Sequence, residues 1–495
     1  MMFPIDIEKL AKVFTYDVQS PLMFSSGLFL FLFAAFTLLY YMLNKRDTLR
    51  ILFVTLFSYY FYYKSSGFYF FLLGVVTLSD FYIAEHITQQ ASPLRKRLLL
   101  LLSLGINLGL LCYFKYTNFL LVAFYPLFTD APFVPSDIFL PVGISFFTFQ
   151  SLSYTIDVYR GSLQPLNRLL DYAFYVSFFP QLVAGPIVRA KDFIPQIRQP
   201  LFVSKAMFGE GVFLLLCGLF KKMIISDYIS VNFVERIFDA PTLYSGLENL
   251  MGTYGYAIQI YCDFSGYSDM AIGIALLLGF RFPINFNSPY KSSSVTEFWR
   301  RWHISLSTWL RDYLYISLGG NRKGTIRMYV NLFLTMLLGG LWHGASWNFV
   351  LWGALHGSAL AVHKAWKKYV IKEESSALVG WKKFLSVFLT FHFVCFCWIF
   401  FRNKDFSSSM DMLRQITTQF HPELAGQLLL GYWKVFLMLL LALVLHFSPD
   451  VWQDRFKAKI IAMPMALKVI LFTLLVFWII QLKSSDIQPF IYFQF

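Results

Sequence analysis

Apolar residues recur along the chain in blocks at about 24–43, 49–63, 68–86, 98–114, 118–128, 138–158, 169–188, 207–226, 246–282, 328–364, 384–401, 432–448 and 466–482. A helix needs roughly 20 apolar residues to cross a bilayer, so some blocks are too short or too polar to span and others are long enough to be hairpins. The pattern predicts an all-α polytopic membrane protein of about 11 to 13 transmembrane helices. Re-entrant elements are expected among them, because non-helical backbone at membrane depth survives only when buried in protein or lining a wet cavity. Between the blocks lie short basic clusters, Lys45/Arg46/Arg50, Arg95/Lys96/Arg97 and Arg322/Lys323/Arg327, which mark cytoplasmic loops and place the amino terminus outside. No Pro/Gly/Ser-rich linker or internal repeat divides the chain, and a single membrane domain is the simplest organisation.

Composition sharpens this picture. Of 495 residues 57% are hydrophobic and 14% charged, which leaves no material for a large soluble domain. The net charge of +14 sits in the loop clusters, where it meets anionic lipid; nucleic acid is not an expected partner. The start, MMFPIDIEKLAKVF, lacks the pattern of a cleaved signal peptide, so the first transmembrane helix is expected to direct insertion. Five scattered cysteines show no disulfide spacing. His392, Cys395 and Cys397 lie inside the apolar FLSVFLTFHFVCFCWIFF and read as helix residues; no metal site is expected.

Candidate chemistry begins with two histidines. His343 falls in TMLLGGLWHGASWNFVLWGALHG, where an ionisable ring costs several kcal/mol unless it has a partner or a task. Gly339, Gly340 and Gly344 allow close approach of backbone or substrate, and Trp342 offers an aromatic wall. His303 lies about 40 residues upstream in TEFWRRWHISLSTWLRDYLYISLGGN. On one continuous helix, Trp299, Trp302, His303, Leu306, Leu310 and Tyr313 share a stripe, with Arg301, Thr308 and Asp312 opposite. Glu297 and Arg301 are spaced to pair, and Gly319, Gly320 and Asn321 end the helix. Such a helix lies at an interface; as a plain anchor it needs no chemistry, just as His343 alone reads equally as a hydrogen-bonded core residue. His356 and His363 are expected to be structural. Asp263 and Asp269 need partners such as Arg281 or a wet cavity; they orient a site or, on the simpler reading, hold the bundle. FPQLVAGPIVR carries the Gly-Pro of a broken helix, with Arg189 beyond.

Soluble catalytic signatures are missing. There is no G-x-S-x-G, P-loop or H-E-x-x-H, and the positions five residues after His303 and His343 are Thr308 and Asn348 rather than the Asp of an H-x4-D acyltransferase. Instead, PVGISFFTFQSLSYTIDVYRG, YCDFSGYSDMAIG, TEFWRRWHISLSTWLRDYLYISLGGNR, LTMLLGGLWHGASWNFVLWGALHG and the terminal FIYFQF together resemble the membrane-bound O-acyltransferase (MBOAT) family. The likeness is to its bacterial alginate O-acetylating branch, with peptidoglycan O-acetylation and teichoic-acid D-alanylation proteins as cousins. It runs over 24–495 and leaves residues 1–23 as an amino-terminal extension.

The resemblance implies a rim of helices around a central tunnel where a cytosolic donor meets an extracytoplasmic acceptor. It implies His343 as the general base and His303 as an orienting or oxyanion-stabilising partner, with the roles interchangeable; a free imidazole pKa of about 6.5 leaves such a base mostly neutral at pH 7. Asp269, Trp342, Asn348 and Arg301 are expected to support the site. In IYFQF, Tyr492 either relays acyl groups or anchors the chain at the aromatic belt. No bound cofactor is expected; acetyl-CoA or another acyl thioester, free or on an acyl carrier protein, is the donor.

The resulting expectation is a multi-pass protein of the bacterial cytoplasmic (inner) membrane that passes acetyl across it for O-acetylation of an exported polysaccharide. A separate extracytoplasmic acetyltransferase is expected to complete the transfer. A lipid or protein acceptor, a transporter using the same His and Asp residues as a solute pathway, or a scaffold for polymer export are the competing readings.

Overall fold

A computed structural model describes residues 7–18, 20–128, 133–371, 379–482 and 491. Among these residues every regular element is a helix, with no strand, and the chain is a polytopic α-helical membrane protein. Among the described residues, four helical stretches are long and apolar enough to cross a membrane: Asp47–Gln89, Pro93–Phe124, Thr325–His343 and Gly380–Arg402. Two bent pairs, Pro422–Gly431 with Trp433–Phe447 at 92° and Asp450–Ala462 with Met465–Ile479 at 113°, raise the number to six if each is one span. Other apolar blocks are cut short by backbone chemistry. Pro180 and the Gly185-Pro186 pair interrupt 169–188, leaving Leu169–Ser177, Phe179–Leu182 and then Ala190–Ile197, so the Gly-Pro run is the expected break. The 246–282 block is one 32-residue helix, Gly246–Leu277, whereas 328–364 folds as the hairpin Thr325–His343 and Trp347–Trp366.

The described chain groups into two compact units, Met1–Gly211 with Ala271–Phe282, and Val212–Met270 with Pro283–Phe495. The first is organised by aromatic packing, with Phe24, Phe29, Phe33 and Phe36 gathered on Phe179. It also holds a polar knot that hydropathy does not advertise. Asp80, fully buried, accepts hydrogen bonds from Ser103 Oγ at 2.6 Å, Asn107 Nδ2 at 2.7 Å and Ser151 Oγ. Three helices are thereby locked together at a depth where an unpartnered carboxylate would cost several kcal/mol. Arg198 clasps Asp171 with two parallel hydrogen bonds of 2.6 and 2.7 Å.

The second unit is built around the hairpin, and its two helices touch through glycines. A methyl added at Gly340 would strike the Phe349 carbonyl oxygen, and one at Gly353 would meet the Met336 carbonyl oxygen at 2.5 Å. Glycine is what allows the backbones this close, as in other membrane helix pairs. The hairpin holds His343 at the inner end of its first helix, where the chain leaves helical geometry at Gly344.

Candidate active site

The segment predicted as one helix over 296–321 is broken at its centre, and this is the main correction to the sequence reading. It forms Val295–Arg301, then Ile304–Trp309, then a π-helical turn at Leu310–Tyr315. Between the first two, His303 takes a left-handed backbone with φ 41°. For a non-glycine residue that conformation is unfavourable and persists only where the surroundings impose it. They do so through the loop before the helix. The Asn285 carbonyl accepts the Ile304 N–H at 2.9 Å, and its side-chain oxygen takes the Ser305 N–H at 3.2 Å and the Ser305 hydroxyl at 2.9 Å. Asn287 N–H caps the Arg301 carbonyl at 2.9 Å, and Asn285 Nδ2 reaches Ser268 Oγ at 3.2 Å. Long-range hydrogen bonds to a loop have displaced the local helical ones, which periodicity cannot reveal.

The first short helix is set by local chemistry. Ser294 caps it by accepting the Glu297 N–H, while Glu297 takes the Ser293 N–H and hydroxyl on one oxygen and pairs with Arg301 Nε at 2.9 Å on the other. The expected Glu297–Arg301 pair is therefore present, and Gly319 and Gly320, both at positive φ, end the segment as predicted.

The break aims His303 into the protein, where its ring meets Phe264 edge-on at 4.6 Å and Trp342 at 6.1 Å between centroids. His343 arrives from the hairpin, and the two imidazole centroids lie 6.5 Å apart. Both rings are buried, His303 completely and His343 with 3% exposure. Trp342, Trp352 and Phe401 surround His343 at 5.0, 5.1 and 5.2 Å. The two histidines singled out in the sequence thus share one buried aromatic cluster. Such an environment strengthens any electrostatic interaction formed inside it, and a general base there is shielded from competing solvent.

The remaining expected residues fall in different places. Trp342 belongs to the cluster and meets both imidazoles. Asn348 gives its amide to the Asn403 carbonyl at 3.0 Å and Ser409 Oγ at 3.2 Å, tying the hairpin to Phe406–Thr418. Arg301 is held by Glu297 and by the Asn287 carbonyl at 3.2 Å, on the outer side of its short helix. Asp269 pairs with Lys221 at 2.6 Å. Asp263 pairs with Lys222, also at 2.6 Å, rather than with Arg281, whose backbone N–H goes to Gln196. His356 stacks among Trp299, Trp352 and Phe298 and accepts the Trp299 indole N–H at 3.2 Å, while His363 bonds Thr296 at 2.8 Å. His392 is engaged by the Tyr254 hydroxyl at 2.9 Å. Tyr492 lies outside the described residues, but its neighbour Ile491 does not: the Ile491 N–H donates to Asp263 Oδ2 at 2.9 Å.

Several residues of this region escape sequence reading. Asn285, Ser268 and Ser305 are small polar residues without periodic signature, and their importance is visible only once the loop is seen against His303. Trp352, Phe401 and Trp398, which stacks on Trp352 at 6.1 Å, look like ordinary core aromatics. Lys222 was legible in part: a lysine in an apolar block with Asp227 five residues on has little alternative to ion pairing.

A family model described as "MBOAT, membrane-bound O-acyltransferase family" matches residues 162–402, which contain both histidines. A protein of Pseudomonas putida named "Probable alginate O-acetylase AlgI" is 45% identical over 351 residues, 70% of this chain and 71% of that one. The "Peptidoglycan O-acetyltransferase" of Helicobacter pylori is 39% identical over 423 residues, 79% of each chain. The "Teichoic acid D-alanyltransferase" of Bacillus subtilis is 32% identical over 286 residues, 55% of this chain and 71% of its own. All three names describe transfer of an acyl group, which removes the transporter and scaffold readings. On the strength of these matches and of the helical architecture, the chain belongs to the membrane-bound O-acyltransferase family and is an acyltransferase.

Proposed function

We propose that the chain passes acetyl from a cytosolic thioester, acetyl-CoA or an acyl carrier protein, across the bacterial cytoplasmic membrane for O-acetylation of an exported cell-surface polysaccharide, with a separate extracytoplasmic acetyltransferase completing the transfer. The observation that carries this reading is the pair of buried imidazoles 6.5 Å apart in one aromatic cluster. The relatives whose names specify alginate and peptidoglycan O-acetylation support a polysaccharide as final acceptor.

In this reading a hydroxyl and the thioester carbonyl meet between the rings. With their centroids 6.5 Å apart, the two rings are near enough to act on one reacting centre. His343 removes the hydroxyl proton as the oxygen attacks the acyl carbon; the C–O bond forms, the C–S bond breaks, and the proton passes on to the departing thiolate. His303 orients the acceptor or stabilises the negative charge on the carbonyl oxygen, and Trp342 walls the reacting groups from water. Where Tyr492 is a relay and not an aromatic-belt anchor, its phenol is that attacking hydroxyl; it carries the acetyl as an aryl ester, and onward transfer to the next acceptor breaks the ester and returns the phenol.

His343→Ala is the decisive variant. It should abolish polymer acetylation while the protein still inserts and runs as a single species in detergent. Unchanged acetyl content in cells carrying only this variant would overturn the assignment.

A further inference from the structure

The helix Gly246–Leu277 carries Phe264 against His303, and the residue before it is Asp263. Asp263 is 2% exposed and its two oxygens are used differently. Oδ1 pairs with Lys222 Nζ at 2.6 Å, and that same ammonium holds Asp227 Oδ1 at 2.7 Å. Oδ2 accepts the backbone N–H of Ile491, 228 residues further along the chain, whose side chain is itself buried.

A buried ion pair is a poor device for stability, since well-packed apolar residues of the same volume often do better; its best-attested use is to fix which surfaces meet and in what register. Here Lys222 is shared by two carboxylates, so it neutralises the pair incompletely. Asp263 is left with an oxygen that wants a donor at a depth where water is scarce. A backbone N–H meets that need whatever the side chain, and it comes from one specific residue.

We propose that Asp263, charge-balanced by Lys222, is the seat for the Ile491 backbone, fixing which residue of the distant chain meets the helix that lines the histidine site. Asp263 is thus a positioning residue: it sets where residue 491 docks. The seating stands on the hydrogen bond alone; its effect on turnover rests on the proposed histidine site and relay.

The test uses full-length protein in detergent, digested with chymotrypsin, which accepts a proline one residue before the aromatic it cuts after, and read by intact mass for cleavage after residue 492. Ile491→Pro deletes the donor itself at the chain's end and leaves the bundle's sequence untouched; Ile491→Ala keeps the N–H and controls for the lost side chain. Asp263→Asn, which keeps an oxygen of the same shape but loses the charge balance with Lys222, is the second arm. A charged hydrogen bond of this kind corresponds to about tenfold or more in the opening equilibrium. Ile491→Pro and Asp263→Asn should therefore be cut after residue 492 about tenfold faster than wild type, and Ile491→Ala should be cut near the wild-type rate. Acyl transfer, measured in parallel with labelled acetyl-CoA, should fall in the two variants that free the tail. Equal resistance of Ile491→Pro and wild type overturns the seat, and a freed tail with unchanged turnover overturns its positioning role. Tyr492→Phe leaves the amide in place, so loss of turnover there with a protected tail separates the relay from the seat.

Discussion

Replacing Asn285 with alanine should straighten the helix that the structure breaks, and His303 should leave the cluster as a result. The side-chain oxygen of Asn285 holds the Ser305 N–H and hydroxyl, and its amide reaches Ser268; the backbone carbonyl that takes the Ile304 N–H survives the substitution. Leaving a buried N–H without an acceptor costs about 1–3 kcal/mol, and the lost hydroxyl bond adds about 1 kcal/mol. The left-handed conformation of His303 is itself disfavoured by about 1–2 kcal/mol. About 2–4 kcal/mol of support is thus removed from a strain of similar size. The relaxed alternative is also attractive, because a continuous helix offers the Ser305 N–H the Arg301 carbonyl, four residues back. Fusing Val295–Arg301 with Ile304–Trp309 would re-aim the imidazole, and a misplacement of about 1 Å costs about 100-fold in rate. The assay is acyl transfer from labelled acetyl-CoA in proteoliposomes, with thermal unfolding recorded on the same preparation. Asn285→Asp keeps an acceptor at the same place and should lose much less. Wild-type turnover with an unshifted Tm in Asn285→Ala would refute the reasoning. Equal losses in the alanine and aspartate variants would trace the effect to folding instead of aim.

Two further outcomes are expected. Gly340→Ala should lower Tm and acyl transfer together, because a methyl there collides with the Phe349 carbonyl and overpacking costs about 1–3 kcal/mol, while Gly109→Ala, with nothing within 4 Å, should leave both unchanged or slightly raise Tm. Tyr492→Phe removes one oxygen from the proposed relay and should abolish acetylation of the polymer; full acetylation in that variant, measured on exported material, would leave Tyr492 as an aromatic anchor.

Much of this molecule is readable without coordinates. Blocks of apolar residues separated by basic clusters compel a helical membrane protein, since hydrocarbon tolerates no unsatisfied backbone and helices satisfy their own. His343 stands out for the same reason, an ionisable ring being costly in an apolar run. The Glu297–Arg301 pair and the glycines at 319 and 320 act within a few residues of themselves, and local chemistry is what a sequence displays. The helix over 296–321 shows where such reading stops. Its periodicity placed His303 correctly on the apolar side, yet missed the break that aims the ring.

The same division holds for the charged residues. That Asp263 and Asp269 would need partners follows from their surroundings in the chain. Which partners they found, Lys222 and Lys221 rather than Arg281, depends on how an adjacent π-helical turn packs against their helix. By itself, then, the sequence determined class, membrane habit, family and the two candidate imidazoles, because burial cost and helical period are properties of short stretches. Only the tertiary structure decided that the imidazoles lie 6.5 Å apart in one aromatic cluster, that Asn285 bends the backbone to bring one there, and that the Ile491 N–H ties back to Asp263. Each of these is a contact between residues distant in the chain, whose geometry is set by the packing of whole helices and is encoded in no local window.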